Sequence, residues 1–131
     1  MQSVFLICFF LLIVLFIALS LRVIFFRRKN RSPYGYQFDD RKMMAAISAQ
    51  GNFIDYSPIT LLALWILSQQ AVNFGWFLTL NTALLIGRYT HAIGLLFAEQ
   101  RPRPIYALRV VGMALTFFSL LGCALSWLIL L

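Results

Sequence analysis

Four long apolar segments, joined by short polar stretches, make up most of this chain of 131 residues. They cover residues about 3–26, 43–70, 74–97 and 105–131. Each segment is long enough for a membrane-spanning helix, which needs about 20 mostly apolar residues. In lipid every backbone N–H and C=O must find a partner within the chain, so segments of this kind become helices. The pattern therefore predicts an all-α integral membrane protein, a single domain built as an up-down bundle of four transmembrane helices.

Charged side chains are scarce and mostly confined to two regions. Hydrophobic residues make up 62% of the chain and charged residues 11%, and most Lys and Arg residues fall in or beside loops 27–42 and 98–104. Basic loop residues stay on the cytoplasmic side of a membrane. The connection at 68–75 and the two ends of the chain carry no charged side chain. We therefore expect both basic loops in the cytoplasm and both termini outside, as an even number of spans allows.

The first apolar segment is expected to be a retained anchor, because its positive charge follows the apolar run, whereas a signal peptide carries that charge before the run. Short loops and the lack of a retention signal indicate a bacterial inner membrane, with a eukaryotic internal membrane as the alternative. The net charge of +7 at pH 7 is assigned to contacts with anionic lipid headgroups. No nucleic-acid-binding motif accompanies it, so membrane lipids are expected partners and nucleic acid is not.

Three ionisable residues lie deep within the apolar segments, namely Asp55, Arg88 and His91. An ionisable side chain in hydrocarbon costs roughly 2.5–3.5 kcal/mol unless it is paired or hydrated. The same number of residues separates Asp55 and Arg88 from the nearest charge of a basic loop. In antiparallel helices the two side chains therefore reach a similar depth in the membrane. We predict an ion pair between them, within one chain or across a subunit boundary, and expect its role to be architectural.

Polar residues around these positions share helix faces. Asn52, Asp55 and Tyr56 stand at i, i+3 and i+4, on one face of the second helix. The same spacing places Arg88 and His91 on one face of the third helix. Such residues often join helices by hydrogen bonds in membrane bundles, which is the structural alternative to a binding site. The chain has one histidine, which argues against a zinc site, so no metal is expected.

Small residues and two thiols are expected in the interior of the bundle. Gly112, Thr116, Ser119 and Cys123 form a stripe on the fourth helix, and we interpret it as a packing face that lets helices approach closely. Cys123 and the other cysteine, Cys8, are expected to be free, buried thiols that behave as small apolar groups. A disulfide between them is the alternative, because both lie toward the outer end of their helices.

The stretch SAQGNFIDYSPITLLALW, residues 48–65, resembles the second helix of the membrane-associated proteins in eicosanoid and glutathione metabolism, the MAPEG family. That family includes microsomal glutathione transferases and leukotriene C synthase. The run VIFFRRKNRSP at the end of the first helix is similar to the family's basic helix-one exit. GRYTHAIG and RVVGMALT resemble its third-helix arginine motif and the start of its fourth helix. Together these segments cover most of the chain in the expected order.

The resemblance implies a four-helix bundle that assembles as a homotrimer. It also implies that glutathione, the thiol co-substrate, binds near the cytoplasmic side between adjacent subunits. In the family's enzymes an arginine stabilises the thiolate, which attacks a lipophilic small molecule or reduces a hydroperoxide. An arginine can play this role because a nearby cation lowers the pKa of a thiol and raises the thiolate population near neutral pH.

Site residues follow from the resemblance by position. The residues that it assigns to glutathione binding are Arg27, Gln50, Asn52, Asp55, Tyr56, Arg88 and His91. Arg103 is the first choice for the thiolate-stabilising arginine, and Arg101 is the second. The chain departs from the family pattern at Ser48 and Leu95, where leukotriene C synthase has an arginine and a tyrosine of the site.

Three functions are compatible with the sequence. The first is a glutathione-dependent membrane transferase or peroxidase, and the second is a non-catalytic member that binds a thiol, lipid or other amphiphile. The third is a small multidrug-type transporter. Such transporters depend on a membrane carboxylate in the first span, where this chain has none, and Asp55 is the single deep carboxylate. Turnover of test electrophiles separates the first two functions, and proton-coupled uptake by vesicles would indicate the third.

Overall fold

The computed structural model describes residues 1–31, 40–102 and 104–130. Within these residues the chain forms four α-helices, α1 (Gln2–Lys29), α2 (Arg41–Ser68), α3 (Phe74–Ile93) and α4 (Ala107–Leu130). A π-helical turn, Gly94–Ala98, continues α3. No strand occurs in this described part of the chain. The prediction of an all-helical protein with four helices is confirmed.

Two of these helices, α1 and α4, are long and apolar enough to cross a membrane. Among the described residues α2 and α3 are also long enough, at 28 and 20 residues, but they are less apolar and do not meet the same standard. The reason lies in their polar positions, since α2 carries Gln50, Asn52 and Asp55, and α3 carries Asn81 and Arg88. Asn52 and Arg88 therefore belong to the less apolar pair of helices.

Neighbouring helices run antiparallel, as contacts at the two ends of the bundle demonstrate. At one end Val23 of α1 and Met43 of α2 belong to one apolar cluster, against which Leu96 of the π-helical turn packs. At the other end Trp76, near the start of α3, donates from Nε1 to Ser126 Oγ, near the end of α4, at 2.8 Å. The last turns of α1 and α3 consequently lie at the same end of the bundle.

The apolar core runs along the middle of the bundle and includes side chains from all four helices. Its best-buried members include Leu12, Leu19, Leu64, Leu67, Phe77, Leu80 and Leu84. Many large apolar side chains remain exposed on the outside, especially on α1 and α4. An apolar outer surface of this extent suits a protein whose surroundings are lipid or a further subunit.

The closest approach in the bundle is between α3 and α4, and glycines make it possible. A Cβ on Gly112 of α4 would lie 2.6 Å from the backbone nitrogen of His91 and 2.7 Å from the carbonyl oxygen of Gly87. Gly94 faces the backbone of Arg109 in the same way, at 2.8 Å. All four small residues of the stripe predicted on α4 are buried, so its interpretation as a packing face is confirmed.

Both cysteines are free and buried. Cys8 donates from Sγ to the carbonyl oxygen of Asn81 at 3.5 Å, which joins α1 to α3. Cys123 lies in the main apolar core. The expectation of buried thiols is confirmed, and the alternative of a disulfide between them is wrong.

Asp40 caps the first turn of α2. Its Oδ1 accepts hydrogen bonds from the backbone N–H groups of Lys42 and Met43, each at 3.0 Å, and its Oδ2 accepts one from Asn30 Nδ2. The Asn30 hydrogen bond, followed by that from Met43, holds the pKa of the Asp40 carboxyl below its ordinary value of 3.8. The ionised form of the carboxyl is therefore the form that stabilises the start of α2.

Replacement of Asp40 by Ala is expected to lower the free energy of unfolding by about 1 kcal/mol at neutral pH, because α2 loses its cap. Asp40→Asn keeps a capping oxygen and should lose less. Because folding lowers the pKa of Asp40, the wild type has its full excess in free energy of unfolding over Asp40→Asn at pH values above the ordinary aspartate pKa. This excess disappears as the pH falls through the folded-state pKa. Thermal unfolding in a nonionic detergent, followed by circular dichroism, measures both effects. A difference that does not change with pH would contradict the prediction.

Candidate functional site

A buried arginine joins three helices at the centre of the candidate site. Arg88 of α3 is 2% exposed, and its Nη1 donates to Asn52 of α2, at 2.9 Å to Oδ1 and 3.2 Å to the backbone oxygen. Its Nε donates to Thr116 Oγ1 at 3.0 Å, and its Nη2 to Met113 Sδ at 3.3 Å, both on α4. We call Asn52, Arg88, Met113 and Thr116 the Arg88 network. All three guanidinium nitrogens have a partner in it, which compensates for part of the cost of burial.

Tyr56 lies next to this network, one turn after Asn52. Its ring centroid is 6.0 Å from Arg88 Cζ, within the range of a cation–π contact. The ring also meets Phe117 of α4 edge to face, with 5.4 Å between the centroids. The structure thus brings together Asn52, Tyr56 and Arg88, three of the residues that the sequence proposed for one site.

Asp55 does not join them. Its side chain is exposed on the surface of the bundle and has no hydrogen-bond or ion-pair partner among the described residues. The predicted ion pair with Arg88 within one chain is therefore wrong. The buried line of α2 passes through Phe53 and Ser57, and Asp55 lies two residues from each, which places it about 200° around the helix from that line. The alternative of a pair across a subunit boundary stays a prediction.

His91 is a buried residue of the α3–α4 contact. It is 4% exposed, and its Nδ1 lies 3.1 Å from the carbonyl oxygen of Arg109. Its backbone lies against Gly112, so the side chain has a structural place in the bundle. Among the described residues no three His, Cys, Asp or Glu side chains are grouped in a way that could hold a metal ion.

A comparison with protein-family models matches residues 5–129 to the model of the MAPEG family. The chain belongs to the MAPEG family. The match extends over nearly the whole sequence, so the resemblance read from separate motifs holds along the chain. No curated protein and no solved structure gives a significant match.

The other residues proposed for glutathione binding in this MAPEG protein lie apart from the Arg88 network. Gln50 donates from Nε2 to Ser20 Oγ of α1 at 2.9 Å, and it lies two residues closer to the basic loop than Asn52. Arg27 is half-buried in the last turn of α1. Both side chains belong to the half of the bundle in which α1 and α3 end.

The two arginines proposed for thiolate stabilisation are placed differently. Arg103, the first choice, lies outside the described residues. Arg101, the second choice, is exposed just after the π-helical turn. It lines a cavity of about 590 Å³ that we call the basic pocket, whose lining includes Arg22, Lys29, Lys42, Phe97, Gln100 and Arg101. Arg101 makes no hydrogen bond with the Arg88 network.

Several partners in this MAPEG protein were not assigned from the sequence. Thr116 was recognised as a packing residue but not as an acceptor for Arg88, and Met113 was not singled out. Ser20 and Arg22 of α1 were likewise not proposed as site residues. Thr116 and Met113 lie three positions apart on one face of α4, which is the signal that could have suggested a shared partner.

Proposed function

We propose that this MAPEG protein crosses a bacterial inner membrane four times, with both termini outside and the basic loops in the cytoplasm. It assembles as a homotrimer and binds glutathione between subunits. It acts as a transferase or peroxidase on lipophilic electrophiles. Family membership supports a membrane protein of this kind, and the basic residues around both loops at one end of the bundle support the orientation.

The observation that carries this proposal is the position of Asp55. Its carboxylate, unpartnered among the described residues, lies on the outer surface of α2, within one turn of Asn52 and Tyr56. A carboxylate exposed to hydrocarbon is costly, so a neighbouring subunit, a bound polar ligand or water has to cover it. A glutathione molecule held between subunits offers an ammonium group and backbone N–H donors for that purpose, and the subunit boundary excludes lipid.

The proposed chemistry needs a cation near the thiol. An arginine beside bound glutathione lowers the pKa of the thiol, so the proton passes to solvent water and the sulfur is held as thiolate. The thiolate electron pair then forms a thioether with the electrophilic carbon of the co-substrate, and the leaving group departs with its bonding pair. Arg103 is the proposed cation by its match to the family pattern, and Arg101 is the second candidate, which lies at the end of the bundle that faces the cytoplasm in this proposal.

A titration of the purified protein with glutathione in detergent tests the proposal. We expect a saturable rise in the ultraviolet absorbance of the thiolate near pH 7 in the wild type and its loss in Arg103→Ala. Arg41→Ala, which removes an exposed cation at the start of α2, serves as the matched control and should keep the signal. An unchanged signal in Arg103→Ala that is lost in Arg101→Ala would move the role to Arg101. A signal kept in both would rule out this thiolate mechanism.

The second candidate is a non-catalytic member that holds a thiol, lipid or other amphiphile. One observation favours it, namely that three of the proposed ligand-binding side chains already have partners within the chain. Asn52 and Arg88 bond to each other, and Gln50 bonds to Ser20. Saturable glutathione binding without a thiolate signal, and without turnover of test electrophiles, would support this candidate.

A further inference from the structure

Arg22 lies in the last third of α1, before the terminal basic cluster, and no described carboxylate pairs with it. It precedes the terminal basic cluster by about one and a half turns, so it lies about 7 Å deeper along the helix than Arg27. Its Cζ is 5.0 Å from the ring centroid of Phe97 and 5.6 Å from that of Phe26. Its Nε is buried and has no hydrogen-bond partner among the described residues. The two rings fix the guanidinium in place and leave hydrogen-bonding capacity unused.

The charge around Arg22 is of one sign. The basic pocket also contains Lys29, Lys42 and Arg101, and none of the described residues in its lining is acidic. The two described carboxylates at this end are engaged elsewhere, since Asp40 caps α2 and Glu99 pairs with Arg109 at 3.4 Å. Four cations around one cavity therefore favour an anion from outside the chain.

An apolar groove continues from the basic pocket toward the middle of the bundle. It lies between α1 and α3, has a volume of about 290 Å³, and shares Arg22, Leu96 and Phe97 with the basic pocket. Its far end is formed by Leu15, about 10 Å further along α1 than Arg22. The combined site is thus basic at the end of the bundle and apolar toward its middle.

The π-helical turn forms the side of the combined site that faces α1. The backbone N–H of Glu99 donates to the carbonyl oxygen of Gly94 at 3.0 Å, a bond that spans five residues instead of four. The extra residue rotates the following positions by about 100° relative to a regular α-helix. Phe97 lies within this turn and stacks under Arg22, and Arg101 follows it at the pocket.

We propose that the basic pocket and the groove together bind one anionic phospholipid of the surrounding membrane. The lipid phosphate lies at Arg22, with Lys29, Lys42 and Arg101 around it, and one acyl chain follows the groove between α1 and α3. The site is distinct from the Arg88 network, but Arg101, the second candidate for the thiolate-stabilising arginine, also lines the basic pocket. The variants that test the lipid proposal are therefore placed at Arg22 and Ala18, which have no part in the proposed glutathione chemistry.

Native mass spectrometry of the detergent-solubilised full chain tests the proposal. The protein is titrated with phosphatidylglycerol and, separately, with phosphatidylcholine. We expect one tightly held phosphatidylglycerol per chain and weaker retention of phosphatidylcholine. Arg22→Gln should weaken phosphatidylglycerol binding on the order of tenfold, the effect of one charge-assisted hydrogen bond. Arg28→Gln removes the same charge from an exposed position of α1 outside the pocket and should have a much smaller effect.

A second pair of variants tests the groove. Ala18 lines it from the exposed side, so Ala18→Phe should fill it and weaken phosphatidylglycerol binding, whereas Ala124→Phe on the exposed face of α4 should not. Glycerol 3-phosphate, inorganic phosphate and glutathione are added as competitors without acyl chains. Displacement of the lipid by one of these at comparable concentration would overturn the proposal and reassign the pocket to a soluble anion. Equal losses in Arg22→Gln and Arg28→Gln, or equal retention of both lipids, would also overturn it.

Discussion

Gly112→Ala is expected to lower the free energy of unfolding by about 2–3 kcal/mol, the upper part of the range for an overpacked interior. The added methyl group would lie 2.6 Å from the His91 backbone nitrogen and 2.7 Å from the Gly87 carbonyl oxygen. Backbone atoms cannot rotate away as the end of a side chain can. The two helices must therefore move apart, and this disturbs the Arg88 network, which depends on Thr116 one turn further along α4.

Two other glycines supply graded controls for this prediction. Gly51 of α2 has no atom within 4 Å of the position that an added methyl group would take, so Gly51→Ala should leave stability unchanged or raise it by about 0.5–1 kcal/mol through reduced chain entropy. Gly122→Ala would meet the end of the Leu80 side chain, which can shift, so an intermediate loss is expected. Unfolding by sodium dodecyl sulfate in mixed micelles, followed by circular dichroism, gives the three values. Equal stability of Gly112→Ala and Gly51→Ala would contradict the close helix contact.

Asn52→Leu is expected to cost about 2–3 kcal/mol, because it removes the side-chain acceptor that faces a buried guanidinium. Arg88→Met should cost less, since it removes the charge together with the need for partners. Because Arg88→Met removes the charge that Asn52→Leu leaves without its acceptor, the double variant Asn52→Leu/Arg88→Met should be no less stable than Asn52→Leu alone. A favourable coupling energy in this double-mutant cycle is the sign of a stranded charge rather than of lost helix packing.

The chain provides a matched control for Asn52→Leu. Asn81 of α3 is also buried, but its Nδ2 donates within its own helix to Phe77 O, and its Oδ1 has no described partner. Asn81→Leu should therefore be close to neutral. The same unfolding measurement in mixed micelles compares all four variants. A loss in Asn81→Leu as large as that in Asn52→Leu would show that a generic amide effect, and not the guanidinium, accounts for the result.

Much of the fold could be predicted from the sequence because apolar length and loop charge act locally. Four apolar segments predicted four helices, and each observed helix, with the π-helical turn added to α3, begins and ends within about three residues of its predicted segment. The stripe at Gly112 and Thr116 predicted a tight helix contact, which the α3–α4 pair provides. The motif around Asn52 and Tyr56 indicated the family to which the chain belongs.

The candidate site was only partly predictable, because periodicity tells which residues share a face of one helix but not how that face is turned toward its neighbours. Spacing paired Arg88 with Asp55, yet the partner of Arg88 is Asn52, about one turn earlier on α2. Burial of Phe53 and Ser57 sets the rotation of α2 and turns Asp55 outward. The rotation of a helix about its axis cannot be derived from the spacing of residues within one segment.

The sequence by itself determined the helices, their order, the basic loops and the family, because each depends on residues close together in the chain. The tertiary structure decided which polar groups meet. The glycine contact between α3 and α4 brings Thr116 to Arg88, and the π-helical turn brings Phe97 to Arg22. Both outcomes depend on helix rotation and on distances of a few ångströms between segments, which only the packed bundle fixes.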